Sequence, residues 1–306
     1  MGLAGLRLLI GGDNLIPGSF DYVVANSVTE AVALLEQHGD EAKILAGGQS
    51  LIPILRFRLA GPSVLIDINH IPDLEYIQES DGTLHIGALT REAELDASDL
   101  IRSRYPILLD TSSVVADPIV RNWATVGGNL AHADPANDHP ATMLVLGAQI
   151  VAVGPGGQRL IPIDEFFADS SFETTLHPTE LLQEIRVPAP AARSGSAYIK
   201  LERKVGDYAI AGVAASVTLD DSGNVARAGI ALTNVGPTPL RAREAEQALL
   251  GKALDDASIH QAAELAAAAA QPTSDSRGSV DYKRAMVRTL TVRALRKAQG
   301  RITGKE

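Results

Sequence analysis

Two short glycine-rich runs carry the first chemical signal in this chain. Ala46-Gly47-Gly48-Gln49-Ser50 follows an apolar stretch and precedes a helical pattern, and Thr125-Val126-Gly127-Gly128-Asn129 repeats the glycine pair far downstream. Glycine lets a backbone approach a ligand closely, the N–H groups of such a turn point inward together, and a helix start adds partial positive charge. That is phosphate-binding chemistry. The Ser50 hydroxyl adds a donor to the first run, while Thr125 and Asn129 flank the second with side chains that donate to phosphate or sugar oxygens. Neither run matches Gly-x-Gly-x-x-Gly or the lysine-containing P-loop. Taken singly, each is also what an ordinary tight turn looks like.

Asp138, a little beyond Asn129, is a fixed acceptor suited to sugar hydroxyls. Two backbone nests and one acidic acceptor suit a dinucleotide, whose diphosphate needs donors on two sides while its ribose or ribityl offers hydroxyls. The plainer alternative is a loop in which Asp134 and Asp138 cap helices. Tyr198 and Lys200 share one face of a predicted strand, a placement that suits flanking a single ligand and equally a half-buried edge strand. His132, Asp134, Asp138 and His139 crowd together in a way that suggests a metal site. The remaining histidines (His38, His70, His85, His177 and His260) form no second cluster, so no metal is expected.

The elements that must position these residues follow from local pattern. Ser27 as N-cap, Glu30 three residues on and Gly39 past the end frame a first helix. Residues 42–46 and 64–68 are short apolar strands around a helix opened by Ser50, which makes a small parallel βαβ unit. A strand over 84–88 and helices over 92–98, 105–115 and 136–146 come next, with Asp117-Pro118 ending the second of these helices. A hairpin over 149–153 and 158–162 turns at Gly154-Pro155-Gly156-Gly157. Near residue 190 the run PAPAARSGSA reads as a linker. Two alternating strands then meet at Asp220-Asp221-Ser222-Gly223-Asn224, and the end is helical, with Pro272 as a break and a last helix over 280–299. The expected fold is α+β, with an N-terminal part of about 175 residues and a β-then-α part of about 110.

Composition excludes several classes. Of the 306 residues 45% are apolar, enough to bury a core, so wholesale disorder is ruled out. The net charge of −10 argues against a nucleic-acid or anionic-membrane surface, since both call for a basic patch. With no cysteine, the chain holds no disulfide, no thiolate zinc site and no Cys-ligated iron–sulfur cluster, which fits a cytoplasmic setting. No stretch reaches the roughly 20 apolar residues of a membrane helix. Residues 1–14 lack the basic start of a signal peptide and read as an extension.

Several longer runs together resemble one family. IPGSFDY (16–22), ILAGGQSLIPILRFRLAGPSVLIDI (44–68), IGALTR (86–91), ATVGGNLAHADPANDHPA (124–141) and YIKLERKVGDYAIAGVAA (198–215) are similar to the FAD-binding medium subunits of molybdenum hydroxylases, with the carbon monoxide dehydrogenase type as the nearest pattern. The resemblance implies a vanillyl-alcohol-oxidase (PCMH-type) flavin domain over 15–190, made of α+β subdomains at about 15–70 and 71–190. A C-terminal domain of antiparallel sheet and helices would span 195–300. It also implies that FAD is held by Leu45, Ala46, Gly47, Gly48, Gln49, Ser50 and Leu51 on one side of its diphosphate. Thr125, Val126, Gly127, Gly128 and Asn129 would hold the other side. Asp138 falls at the contact to the sugar portion, Leu182 at an apolar wall, and Tyr198 and Lys200 beside the isoalloxazine. The implied partners are a molybdopterin-containing large subunit and a small subunit with [2Fe–2S] clusters, in a dimer of heterotrimers, with a quinone, cytochrome or NAD as outside acceptor. No residue is expected to act on the organic or CO substrate itself. A free-standing flavin oxidase or dehydrogenase of the same fold is the alternative.

Overall fold

Ser27 starts the first helix as its hydroxyl accepts the N–H of Glu30 at 3.1 Å, while the Glu30 carboxylate reaches back past the cap to the N–H of Asn26 at 2.8 Å. The computed structural model describes residues 16–305; the extension read over 1–14 lies outside the described residues. The first layer comprises β1 (Asp21–Val24), α1 (Val28–His38), β2 (Ala42–Leu45), α2 (Leu51–Arg56) and β3 (Val64–Asp67). Its sheet is parallel in the order β1-β3-β2. The expected βαβ unit is present, and β1 adds a strand that its short, half-exposed sequence did not reveal. The central strand β3 is buried throughout, which explains Val64, Leu65 and Ile66 in succession.

The middle layer begins with β4 (Ile77–Ser80) and β5 (Thr83–Gly87). Helices α3 (Glu92–Ala97), α4 (Asp99–Arg104), α5 (Pro106–Ser112), α6 (Pro118–Arg121), α7 (Val126–His132) and α8 (His139–Leu146) follow. The layer closes with β6 (Gln149–Gly154), β7 (Gly157–Pro162) and β8 (Leu181–Pro188), in an antiparallel sheet ordered β4-β5-β8-β6-β7. Three expectations need correction. Asp117 does not merely close a helix: its Oδ1 accepts from the N–H groups of Ile119 and Val120 at 2.8 and 3.0 Å and opens α6. The helix expected from residue 136 starts at His139, after a turn. The second glycine run, read as a turn, is the first turn of α7, with Thr125 as N-cap.

The third layer is an antiparallel sheet ordered β12-β11-β10-β9, made of β9 (Ser194–Leu201), β10 (Ala211–Leu219), β11 (Val225–Thr233) and β12 (Leu240–Arg241). Helices α9 (Arg243–Leu249), α10 (Asp256–Ala269) and α11 (Val280–Thr303) cover it. The buried stripe Ile259, Ala262, Ala263, Ala266 and Ala267 of α10 follows helical periodicity and shares one core with Val287, Leu290 and Leu295 of α11. Further along α11, Lys297 and Arg301 reach Asp110 of α5 at 2.7 and 2.8 Å, and Asp110 also accepts the N–H of Tyr198 at 3.2 Å. Strand β9 is thereby fixed against the middle layer. Among the described residues no helix is long and apolar enough to cross a membrane.

Candidate functional site

A cavity of about 390 Å³ opens between the first and middle layers. Ala46, Gly47, Gly48, Gln49, Ser50 and Leu51, from the β2–α2 connection, line it together with Thr125, Gly128 and Asn129 from the start of α7. Runs far apart in sequence thus meet on one space. The approach is tight: a Cβ built on Gly47 would stand 2.1 Å from the carbonyl oxygen of Trp123. Gly48 has φ +73°, in the region that glycine adopts freely. Among the described residues the N–H groups of Gly48, Gln49 and Ser50 meet no acceptor of the protein, and the Ser50 side chain makes no capping bond to α2. These donors are open to a ligand. The Gln49 amide folds back to the Gly47 carbonyl at 3.0 Å and so braces the turn.

The second run works differently from the first. The N–H of Val126 donates to Thr90 O at 3.0 Å, that of Gly127 to Ala88 O at 3.1 Å and that of Gly128 to Thr125 Oγ1 at 3.1 Å. The start of α7 is therefore satisfied by the protein and is no second backbone nest. What it turns to the cavity is side-chain chemistry, the Thr125 hydroxyl and the Asn129 amide. Asn129 Oδ1 is buried without a hydrogen-bond partner among the described residues. Val126 and Gly127 lie behind the wall; a Cβ on Gly127 would stand 2.6 Å from Ala88 O, so this glycine serves close packing. Leu45 lies beneath Gly48. Open N–H groups opposite a hydroxyl and an amide, in a space of this size, fit the diphosphate of a dinucleotide.

The remaining candidates gather elsewhere. Tyr198 Oη donates to Asp138 Oδ1 at 2.6 Å, and Lys200 Nζ donates to Asp138 Oδ2 at 3.0 Å and to the carbonyl of Val114 at 2.9 Å. The Lys200 and Asp138 side chains are only 2% and 7% exposed. Burial pushes the Asp138 carboxyl upward, against the pull of Lys200 and Tyr198, and burial next to Asp138 raises the Tyr198 phenol well above its usual value. Leu182 is buried in the same core as Tyr198. None of the four lines the cavity. In this structure Asp138, Tyr198 and Lys200 satisfy one another.

Known proteins match this chain in sequence and in fold. The family model described as "FAD binding domain in molybdopterin dehydrogenase" matches residues 18–190. The chain belongs to that family. A second model, "CO dehydrogenase flavoprotein C-terminal domain", matches residues 196–298. The carbon monoxide dehydrogenase medium chain of Hydrogenophaga pseudoflava is 47% identical over 94% of this chain and 99% of its own length. The 6-hydroxypseudooxynicotine dehydrogenase complex subunit alpha of Paenarthrobacter nicotinovorans is 44% identical over 92% and 95%. A solved structure of carbon monoxide dehydrogenase from Hydrogenophaga pseudoflava superposes with a TM-score of 0.90 at 48% identity, covering 94% of this chain and 99% of that one. The fold is thus the PCMH-type flavin fold, and the chain is an FAD-binding medium subunit of the molybdenum hydroxylase type, an oxidoreductase component.

In this family member the metal-like run separates. His132 lines the cavity 4.0 Å from Asp134, its ring packed against Phe172, and burial holds its pKa below the usual imidazole value. Asp138 faces Lys200, and His139, fully buried, meets Glu92 at 2.7 Å. No three His, Cys, Asp or Glu among the described residues form a group able to hold a metal ion. Sequence reasoning missed the wall contributed by Leu176, His177, Pro178 and Glu180, and by Lys43. Residues 176–180 precede β8, itself unanticipated, and carry no motif.

The His139–Glu92 pair yields a pH prediction. Burial lowers the His139 pKa, but the charge and hydrogen bond of Glu92 outweigh it and the net shift is upward. A raised folded-state pKa stabilises the protein fully below the unfolded value near 6.5, and the contribution fades as pH rises through the folded value. The stability gap between the native chain and His139→Leu, measured by urea unfolding from pH 5.5 to 9, is expected to narrow as pH increases. A gap that widens would contradict a charged His139.

Proposed function

We propose that this chain carries FAD in the cavity between its first and middle layers and passes electrons from [2Fe–2S] clusters of a partner subunit to an external acceptor. The convergence of the two glycine runs on one cavity carries this reading. The N–H groups of Gly48, Gln49 and Ser50 bind one side of the diphosphate, and Thr125 and Asn129 the other. Bound FAD accepts electrons singly and releases them in pairs, which suits a junction between clusters and a two-electron acceptor. This chain's residues bind and orient it and keep water from its diphosphate.

The absence of cysteine supports an outside source of electrons, since no thiolate is available to ligate a cluster here. Relatives named for carbon monoxide, 6-hydroxypseudooxynicotine and glyceraldehyde share this chain's architecture. On this reading substrate choice belongs to a molybdopterin-containing large subunit, in a cytoplasmic dimer of heterotrimers with a small iron–sulfur subunit. A quinone, a cytochrome or NAD takes the electrons away. The flavin domain spans 15–190 and the C-terminal domain 195–300.

The test is FAD titration of the purified full chain, followed by mixing with a reduced [2Fe–2S] partner. One FAD per chain and bleaching of the flavin bands on mixing are expected. A folded chain that stays colourless in excess FAD would refute the reading. A monomer that oxidises an organic substrate unaided would favour a free-standing flavin dehydrogenase.

A further inference from the structure

An unbroken chain of polar contacts joins the two cavity-lining runs. Asn69 Nδ2 donates to the carbonyl of Ala46 at 2.8 Å and to Asp67 Oδ1 at 2.6 Å. Its Oδ1 accepts from Arg91 Nη2 at 2.8 Å. The other terminal nitrogen of the guanidinium, Nη1, donates to the carbonyl of Trp123 at 2.6 Å. Ala46 immediately precedes Gly47, and the Trp123 oxygen is the atom that a side chain at position 47 would strike. One end of the chain holds the first run and the other end holds the second.

Each link is itself oriented. Asp67, at the end of β3, accepts the N–H of Asn69 at 2.8 Å and the hydroxyl of Tyr22. Burial pushes its carboxyl up, yet the hydrogen bonds from Tyr22 and Asn69 bring it below its usual value, so it is an acceptor at neutral pH. Arg91 is fixed from behind, its N–H donating to Glu94 Oε2 at 2.7 Å and its backbone bridging to Thr125. Both acceptors of the guanidinium are neutral oxygens. Arginine's rigid fork presents two donors at a set spacing, which the single ammonium of a lysine does not.

We propose that Asn69 and Arg91 are positioning residues that clamp Ala46 to Trp123 and so set the gap in which the diphosphate is gripped. The proposal rests on the FAD reading above. Neither residue lines the cavity, so both act through the backbone they hold.

The test uses the full chain with three readouts: FAD dissociation constant, the ³¹P shifts of bound FAD, and backbone hydrogen exchange in the FAD-free protein. Losing one charge-assisted link of this kind corresponds to about tenfold or more in affinity. Arg91→Ala is expected to weaken FAD by that factor, move the ³¹P shifts, and speed exchange over 46–50 and 123–128. Arg91→Lys is expected to recover less than half of the loss on a logarithmic scale, and it also serves if Arg91→Ala fails to fold. Asn69→Ala is expected to match Arg91→Ala, with the double variant no worse than the poorer single one, because both cut the same chain. Affinity within twofold of the native chain, additive losses, or unchanged exchange in Arg91→Ala would each overturn the clamp. A native chain that takes up no FAD would instead refute the flavin reading, and the exchange comparison then decides the clamp alone.

Discussion

Gly47→Ala is expected to leave a folded chain that binds FAD at least about a hundredfold more weakly, the size of losing two or more hydrogen bonds to a charged group. The added Cβ would fall 2.1 Å from Trp123 O and 3.0 Å from Ala124 Cα, and both neighbours are backbone. No rotamer change relieves that contact. The two runs must part by about 1 Å, the shortfall from the closest approach a Cβ tolerates, and a diphosphate then reaches one side only. Overpacking of this kind costs about 1–3 kcal/mol in stability. Gly48→Ala gives a useful contrast. Its Cβ would meet the movable side chains of Ile52 and Leu45 at 3.2 and 3.3 Å, leaving chiefly the left-handed backbone cost of about 1–2 kcal/mol. FAD titration beside urea unfolding separates the two variants. Native-like FAD affinity in Gly47→Ala would mean that the cavity does not grip the diphosphate between these runs.

The contrast between these neighbours also shows what was legible in the sequence. The first glycine run was legible through composition and position, a strand, two glycines and a helix start, a pattern that an ordinary tight turn shares. Its partner run was found for a partly wrong reason. Gly127 and Gly128 suggested a turn with its N–H groups open to a phosphate, whereas they sit in a helix whose first turn packs on Ala88 and Thr125 with no room for a Cβ on Gly127. Strand β8 escaped notice because Leu181 and Leu182 are both buried, where the partner strand β6 shifts register between Val151 and Ala152. A bulge of that sort erases the alternation on which strand reading depends. Asn69 and Arg91 carried no local signal at all. Their roles come from carbonyls that only the assembled layers bring near. Tyr198 and Lys200 were legible as a pair through the two-residue strand period, but their pairing with Asp138 depends on β9 meeting α5 and the start of α8, which no local pattern encodes.

Lys200→Met is expected to destabilise the chain by about 3–5 kcal/mol, the usual effect of stripping one partner from a buried ion pair. Asp138 is 7% exposed, and removing the ammonium 3.0 Å away leaves its carboxylate with Tyr198 Oη alone. The carbonyl of Val114 loses its donor in the same step. Asp138→Asn alone is expected to cost less: an amide is neutral, so the remaining buried charge on Lys200 keeps Glu202, 3.4 Å away, as its counterion. The combination Asp138→Asn with Lys200→Met removes both charges and is expected to recover more than half of the Lys200→Met deficit, because two neutral buried groups avoid the desolvation that one lone ion incurs. Such a repair by a second mutation distinguishes charge pairing from packing, since the methionine occupies nearly the same volume in both variants. Urea unfolding midpoints of the three variants and the native chain supply the cycle. Strictly additive losses would show that Lys200 contributes through its stem and the Val114 carbonyl, and that the Asp138 carboxylate finds its compensation elsewhere.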